Sequence, residues 1–466
     1  MHDTATDYPE PSTQQHQSLS EVHDSIAVPG NRAGFWKKWR AFVGPALLIS
    51  VGYMDPGNWG TDLSSGAQFK YGLLWVVGVA SLMAIFLQVI SARLGIVTGK
   101  DLAQCCRDWY PAWTRWPNWL LCELAIAACD LAEVLGSAVA LHLLFHIPVF
   151  WAVIITAGDV ILLLALQKYG MRKIEAIVLV LVSTIALCYL IEIFVLPRTR
   201  PSFAEMGYAM AHPGFAKVGM LYLAIGIIGA TVMPHNLYLH SALVQTRKIQ
   251  RDEPSIRTAI KFNTIDSTVA LTIAFFVNAA ILVLAAMVFY GHHTYTAANG
   301  QTIKFDNDTD WLNVAYLTLA PLLGVAAASP LFAIALLASG QASTITGTLA
   351  GQVVMEGFMH WRISPWLRRM ITRLLAIIPA IIIIGLRGDG QVTDLLNLSQ
   401  VVLALQLPLA MLPLLHFTSS TRRMGLWKNG WLLLIAGWGS AALITAMDIY
   451  GLPDALRQAK AVFTGG

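Results

Sequence analysis

The chain has 466 residues, 56% of them hydrophobic and only 12% charged, with a mean hydropathy of +0.60. Soluble domains carry roughly 25% charged residues. So little charge cannot cover a water-facing surface, which excludes a soluble globular protein in favour of one embedded in lipid. A net charge of +4 is too mild to point to nucleic acid.

Residues 1–32 are polar and carry three scattered histidines. No apolar stretch precedes a small-residue cleavage site, so a signal peptide is not expected. The composition cannot bury enough apolar area to fold alone. Residues 1–40 are therefore expected to form a cytoplasmic, largely disordered tail.

A membrane helix needs ~20 mostly apolar residues. Eleven stretches qualify, at about 42–62, 72–97, 118–145, 148–167, 172–196, 218–245, 265–290, 321–352, 371–387, 392–417 and 430–450. The expected fold is an all-α integral membrane protein of 11 transmembrane helices. With the N-terminus in the cytoplasm, most Lys and Arg fall in cytoplasmic segments, including Lys37, Lys38 and Arg40, Lys168, Arg172 and Lys173, and Arg247, Lys248 and Arg251. That bias fixes the orientation and places the C-terminus outside. The basic residues are then a topology signal and not a binding patch.

The first span contains Asp55-Pro56-Gly57-Asn58 and the sixth Met233-Pro234-His235-Asn236. Proline removes a backbone donor and clashes with the preceding turn, so both helices are expected to break near mid-membrane. The breaks are 178 residues apart (56 to 234, 58 to 236), with five spans in each unit. An odd number of spans inverts the second unit relative to the first. The organisation expected is a first repeat at 41–200, an inverted second repeat at 201–418, and an eleventh helix with a C-terminal tail at 419–466. Interrupted segments at matching places in two halves point to a midplane binding site.

Unwound backbone offers carbonyl oxygens to cations. Asp55 adds a carboxylate, which at the bilayer centre costs at least ~2.5–3.5 kcal/mol and so wants a partner. Asn58 adds an amide oxygen and Met233 a thioether sulfur. Ca²⁺ and Mg²⁺ want oxygen ligands, whereas sulfur favours softer transition metals. A membrane Met is usually a packing residue. Here, however, Asp55 and Met233 occupy equivalent positions, each directly before the proline of its own break.

Three long stretches carry a family resemblance: GYMDPGNWGTDL at 52–63, GATVMPHNLYLHSALVQTR at 229–247 and GQASTITGTLAGQVVMEGF at 340–358. Over roughly residues 35–450 the chain resembles the Nramp family (natural resistance-associated macrophage proteins), whose bacterial members are proton-coupled manganese transporters. The resemblance implies a LeuT-like 5+5 inverted repeat with helices 1 and 6 broken. It also implies import of Mn²⁺, Fe²⁺ and related ions with protons by alternating access. Asp55, Asn58 and Met233 would be metal ligands, joined by the carbonyls of Gly52 and Ala230 and, from the tenth span, by Gln400. Magnesium-transporting relatives lack the metal-binding Met, so Met233 argues against that branch. No cofactor is implied beyond the transported ion, and no enzymatic activity.

Proton coupling needs groups that change charge. The third span carries Glu123, Asp130 and Glu133, the last two sharing one helix face; the sixth adds His235 and His240. Burial favours the neutral carboxyl and a nearby cation the charged one, so metal arriving at Asp55 is expected to expel a proton. CDLAEVLGSA at 129–138 also resembles the family's third helix, which places Asp130 and Glu133 on the proton route, with His235 near the site and Arg373 a salt-bridge partner. The bland alternative for each is a satisfied structural polar group. The partners expected are divalent metal ions, protons and the lipid bilayer, in a bacterial inner membrane.

Other readings fit less well. An amino-acid transporter of the same architecture would set Asp55 against its substrate's carboxylate. No HExxH, GxSxG or Walker loop supports an enzyme. A passive channel makes poor use of two broken, inverted helices. No signalling domain supports a metal receptor. In the loop near 291–320, Asp306, Asp308 and Asp310, like His292-His293, read as solvated residues. The five cysteines show neither a CxxC pair nor a zinc spacing and read as buried apolar residues.

Overall fold

The computed structural model describes residues 18–30, 33–158, 171–191, 201–291, 294–296, 302–304, 311–312, 314–315, 328–388 and 391–464. The first helices are α1 (Phe35–Phe42), α2 (Pro45–Gly52), α3 (Pro56–Phe69), α4 (Leu74–Thr98), α5 (Leu102–Trp109), α6 (Arg115–Phe145), α7 (Val149–Thr156) and α8 (Met171–Leu190). The rest are α9 (Phe203–Ala211), α10 (Met220–Val232), α11 (Pro234–Leu243), α12 (Glu253–Val288), α13 (Ala328–Met359), α14 (Pro365–Arg387), α15 (Val392–Ser419), α16 (Thr421–Met424) and α17 (Trp431–Thr464). Among the described residues, strands are confined to two short pairs, one of which joins Ile26–Ala27 to Arg247–Lys248 in parallel.

Among the described residues, eight helical segments are long and apolar enough to cross a membrane. They correspond to the second, third, sixth to ninth, tenth and eleventh expected spans. The first expected span is α2 plus α3, the fourth begins with α7, and the fifth is α8; the remainder of the fourth lies outside the described residues. Several limits differ. The first span runs on to Phe69, because Thr61, Asp62, Ser64 and Ser65 are buried against other helices and do not end it. α12 begins twelve residues early, where Asp252 caps it by accepting from the Ser255 N–H at 3.1 Å. The connection after α4 contains the amphipathic α5, capped reciprocally by Asp101 and Gln104.

Small residues set the helix spacing around the breaks. A methyl group on Gly66 of α3 would stand 2.2 Å from the carbonyl oxygen of Leu282 on α12, and one on Gly95 of α4 would stand 2.1 Å from that of Ser241 on α11. Backbone atoms cannot swing aside as a side chain does. Gly66→Ala is therefore expected to destabilise the protein by about 1–3 kcal/mol, read as a lower Tm in detergent.

Two polar segments are more ordered than their composition suggests. Residues 18–30, expected to be disordered, pack on the bundle, with Leu19 only 4% exposed. The reason is external: the bundle supplies the apolar surface that the segment lacks. Asp101, in the connection beyond α4, is buried, and burial pushes its carboxyl up to about 6. A carboxyl raised in the folded state contributes stability below its unfolded value that is lost as pH rises through the folded one. Asp101→Asn keeps a capping oxygen and is expected to flatten the fall in Tm between about pH 4 and 6.

Candidate metal-binding site

Both breaks have the same construction. In a continuous helix the carbonyl of residue i accepts from the N–H of residue i+4. For Gly52 that residue is Pro56 and for Ala230 it is Pro234, neither of which has an N–H. Proline thus frees one carbonyl per break, and begins the second half-helix at its first position, where a missing donor is harmless. At the first break Asp55 N-caps α3, its Oδ1 accepting from the Asn58 N–H at 2.9 Å. At the second, Met233 links α10 to α11 with φ +30°, a conformation that costs a side-chain-bearing residue about 1–3 kcal/mol and persists only where the surroundings impose it.

The freed groups converge. The Asn58 Nδ2 lies 2.8 Å from Asp55 Oδ1, 3.4 Å from the Gly52 carbonyl and 3.2 Å from the Ala230 carbonyl. A single N–H donor group is thus ringed by a carboxylate and by carbonyls at the C-terminal, negative ends of two half-helices. Turning the amide over would place Oδ1 in the same ring. Met233 closes another side: its sulfur would lie 3.1 Å from a methyl on Gly52, and Asn236 Nδ2 is 3.5 Å from that sulfur. Asp55 and Met233 are both completely buried. The second carboxylate oxygen of Asp55 has no hydrogen-bond partner among the described residues.

Of the residues named from sequence, Asp55, Asn58, Gly52, Ala230 and Met233 therefore meet at one point. Gln400 stands one step away, its amide against Gly57 and its Nε2 donating to Ser399 Oγ at 2.9 Å. Sequence reasoning missed Asn278 of α12. It donates to the Tyr53 carbonyl at 2.7 Å and to Asn58 Oδ1 at 3.1 Å, and so holds the unwound turn and the Asn58 amide together. Thr231 donates to the same Oδ1 at 3.4 Å. The available signal was an isolated amide in the apolar run FFVNAAIL.

Asp130 and Glu133 form a separate buried cluster. Arg369 of α14 reaches both, bonding Asp130 and lying 2.9 Å from Glu133 Oε2. Arg373 is 3.7 Å from Glu133. Ser343 and Thr344 of α13 donate to Glu133 at 2.7 and 3.0 Å. Glu123 pairs with Arg368 at 2.8 Å. Sequence reasoning named Arg373 as a salt-bridge partner but not Arg368 or Arg369, although the i, i+4 spacing of Arg369 and Arg373 puts both on one face. The cluster adjoins the breaks: a methyl on Gly136, one turn along α6 from Glu133, would stand 2.2 Å from Pro56. Cys129, 3.8 Å from Glu133 Oε1, packs with Met233.

The histidines divide. His235 is buried beside Met233, with Nδ1 unbonded among the described residues. His240 belongs to another network, its Nδ1 3.0 Å from Gln88 Oε1 while Gln88 Nε2 donates to the Tyr53 hydroxyl at 2.6 Å. All five cysteines are buried. His292-His293 and the Asp306, Asp308 and Asp310 run lie outside the described residues.

The family model for natural resistance-associated macrophage protein-like sequences matches residues 46–454, both breaks included. The chain belongs to the Nramp family. This Nramp chain is 51% identical over 441 residues to a divalent metal cation transporter, MntH, of Nostoc sp., covering 94% of this chain and 96% of the relative. It is 48% identical to the MntH of Listeria innocua, covering 94% of each. Among solved structures it resembles the Eremococcus coleocola manganese transporter in complex with an aromatic bis-isothiourea compound, with a TM-score of 0.83 and 39% identity over 96% of this chain and 92% of that one. A nucleobase-cation-symport-1 family transporter shares the fold alone, at a TM-score of 0.55 and 13% identity. The Nramp chain is an all-α membrane protein of LeuT-like fold, as the family resemblance implied.

Proposed function

We propose that this Nramp chain is a secondary transporter that imports divalent transition-metal ions, Mn²⁺ first and Fe²⁺ and related ions with it, coupled to protons by alternating access. One observation carries the reading. The Asp55 carboxylate, the Gly52 and Ala230 carbonyls and the Asn58 amide surround one point at the junction of two broken helices, with the Met233 sulfur alongside. Net negative charge with hard oxygens would suit any divalent cation. The thioether tilts the set toward softer ions and away from Ca²⁺ and Mg²⁺. The printed names of the relatives, divalent metal cation and manganese transporters, support the same reading.

Proton coupling rests on the buried Asp130, Glu133 and Arg369 cluster, which reaches the break through Gly136 and Cys129. Intramembrane carboxylates of this kind commonly mark proton relays. Asp55 would release its proton as the metal arrives, His235 lies beside the site, and Arg373 lies 3.7 Å from Glu133. His240, tied to Gln88, would act through Tyr53 at the break. Gln400 would complete the ligand set after a small shift of α15 against α3. In this reading the protein is no enzyme, sits in a bacterial inner membrane, and has its N-terminus in the cytoplasm.

Uptake into proteoliposomes under an inward proton gradient tests this. Wild type is expected to accumulate Mn²⁺ and acidify the lumen, with Ca²⁺ and Mg²⁺ competing weakly. Met233→Ala is expected to retain Mn²⁺ uptake at reduced affinity and to admit Ca²⁺. Transport of Mg²⁺ or an amino acid by wild type, with Mn²⁺ ignored, would leave only the fold.

A further inference from the structure

Residues 18–27 cross the seam between two helices on the N-terminal side of the membrane. At one end the Leu19 N–H donates to Glu356 Oε2 of α13 at 2.8 Å. At the other, the Asp24 N–H donates to the Gln245 carbonyl just beyond α11 at 3.0 Å, and Ile26–Ala27 pairs in parallel with Arg247–Lys248. Between them, Leu19 enters the main hydrophobic core and Val22 and Ile26 pack against it. Beneath the segment α11 and α13 touch through Tyr238 and Phe358, whose ring centroids are 5.7 Å apart.

The backbone is held rather than relaxed. Leu19 and Asp24 have φ of +52° and +51°, a left-handed conformation that side-chain-bearing residues keep only when contacts impose it. The segment also roofs a cavity of about 780 Å³ lined by Ser20, His23, Asp24, Gly95, Arg247 and Arg251. An element fastened by two buried residues, Ser18 and Leu19, only one of them apolar, with two anchoring hydrogen bonds and a two-residue ladder, is easily released, and its positive-φ residues favour release.

We propose that residues 18–27 are a latch that ties the exit of α11 to the end of α13, holds the cytoplasmic side shut, and undocks when the bundle opens to deliver its ion. α11 begins directly after Met233, beside the metal site, and α13 supports the carboxylate cluster through Ser343 and Thr344. Separating them at this seam is the opening that a route from Asp55 to the cytoplasm requires. The assignment of this face to the cytoplasm rests on the orientation proposed above.

The test uses full-length protein in nanodiscs with pairs of spin labels. Glu21→Cys with Gln250→Cys reports docking of the latch, and Gln250→Cys with Ser364→Cys reports the seam. All three positions are exposed. Leu19→Asp is expected to lengthen and broaden the first distance. It is expected to raise the seam-open fraction about tenfold or more, the shift that loss of one buried leucine gives. Deleting residues 2–28 is expected to do the same to the seam, and Glu356→Gln less. An unchanged seam in both the deletion and Leu19→Asp, in protein of wild-type Tm, overturns the latch. Mn²⁺ uptake by the same samples separates the two proposals: failure of wild type to transport Mn²⁺ refutes the substrate, while the distances still decide the latch.

Discussion

Asp55→Asn is expected to abolish Mn²⁺ binding and uptake while leaving the fold intact, and it separates these effects more cleanly than Asp55→Ala. Asp55 does two things at once. One oxygen caps α3 through the Asn58 N–H, and the other has no hydrogen-bond partner among the described residues. Asparagine caps a helix about as well as aspartate, so the α3 terminus should survive. What it lacks is the formal negative charge at the breaks, where the other groups named among the described residues are carbonyls, amides and a thioether. In a buried site those neutral groups cannot replace the hydration of a divalent ion without help from a carboxylate. A loss of at least ~3 kcal/mol, roughly 100-fold in Kd, is the expected result by calorimetry, with Tm within about 1 kcal/mol of wild type in its stability equivalent. Asp55→Ala should lose binding and the cap together, with a further cost of about 1 kcal/mol in stability. Wild-type Mn²⁺ affinity in Asp55→Asn would show that the carbonyl ring alone binds the ion, and the ligand assignment would fail.

The breaks were legible in the sequence because they are a local effect. Each needs only a proline and its near neighbours, and the same arithmetic, i to i+4, identifies which carbonyl each proline frees. The convergence of the two breaks was legible only as an inference from symmetry, since no single stretch contains both. Asn278 was not legible, because its role depends on α12 lying beside Tyr53 and Asn58, a contact 220 to 225 residues away in the chain. Arg369 was hidden for another reason. Lys and Arg at the ends of spans serve as topology signals, and a guanidinium that turns inward to meet two carboxylates reads the same in sequence as one that turns out to the lipid headgroups. The ordered residues 18–30 were misread because composition measures what a segment can bury by itself, and this one buries Leu19 in apolar surface supplied by other helices. Helix limits erred for a related reason: buried polar residues such as Asp62 and Ser65 interrupt an apolar run without ending a helix.

Arg369→Met is the second large effect expected, and it acts on folding before it acts on transport. Arg369 is almost wholly buried, between Asp130 and Glu133, which are themselves fully buried. Removing it leaves two carboxylates three residues apart on one helix face with only Arg373, 3.7 Å from Glu133, to offset them. Breaking a buried ion pair by removing one partner destabilises by about 3–5 kcal/mol, enough to empty most of the stability of a typical domain. The expected result is a steep fall in the yield of folded protein and in Tm. Removing all three charges together is a different experiment, because no uncompensated charge remains. Arg369→Met with Asp130→Asn and Glu133→Gln should recover most of the lost stability, since a buried ionic cluster often contributes little net stability over neutral replacements. The triple variant then becomes the sharper probe of function. Its metal site is untouched, so Mn²⁺ should still bind. Its third helix can no longer take up or release a proton at either position, so Mn²⁺ movement should no longer acidify the vesicle lumen or respond to the proton gradient. Unaltered proton movement in a stable triple variant would assign the cluster to packing alone and leave Asp55 and His235 as the groups that exchange protons with the metal.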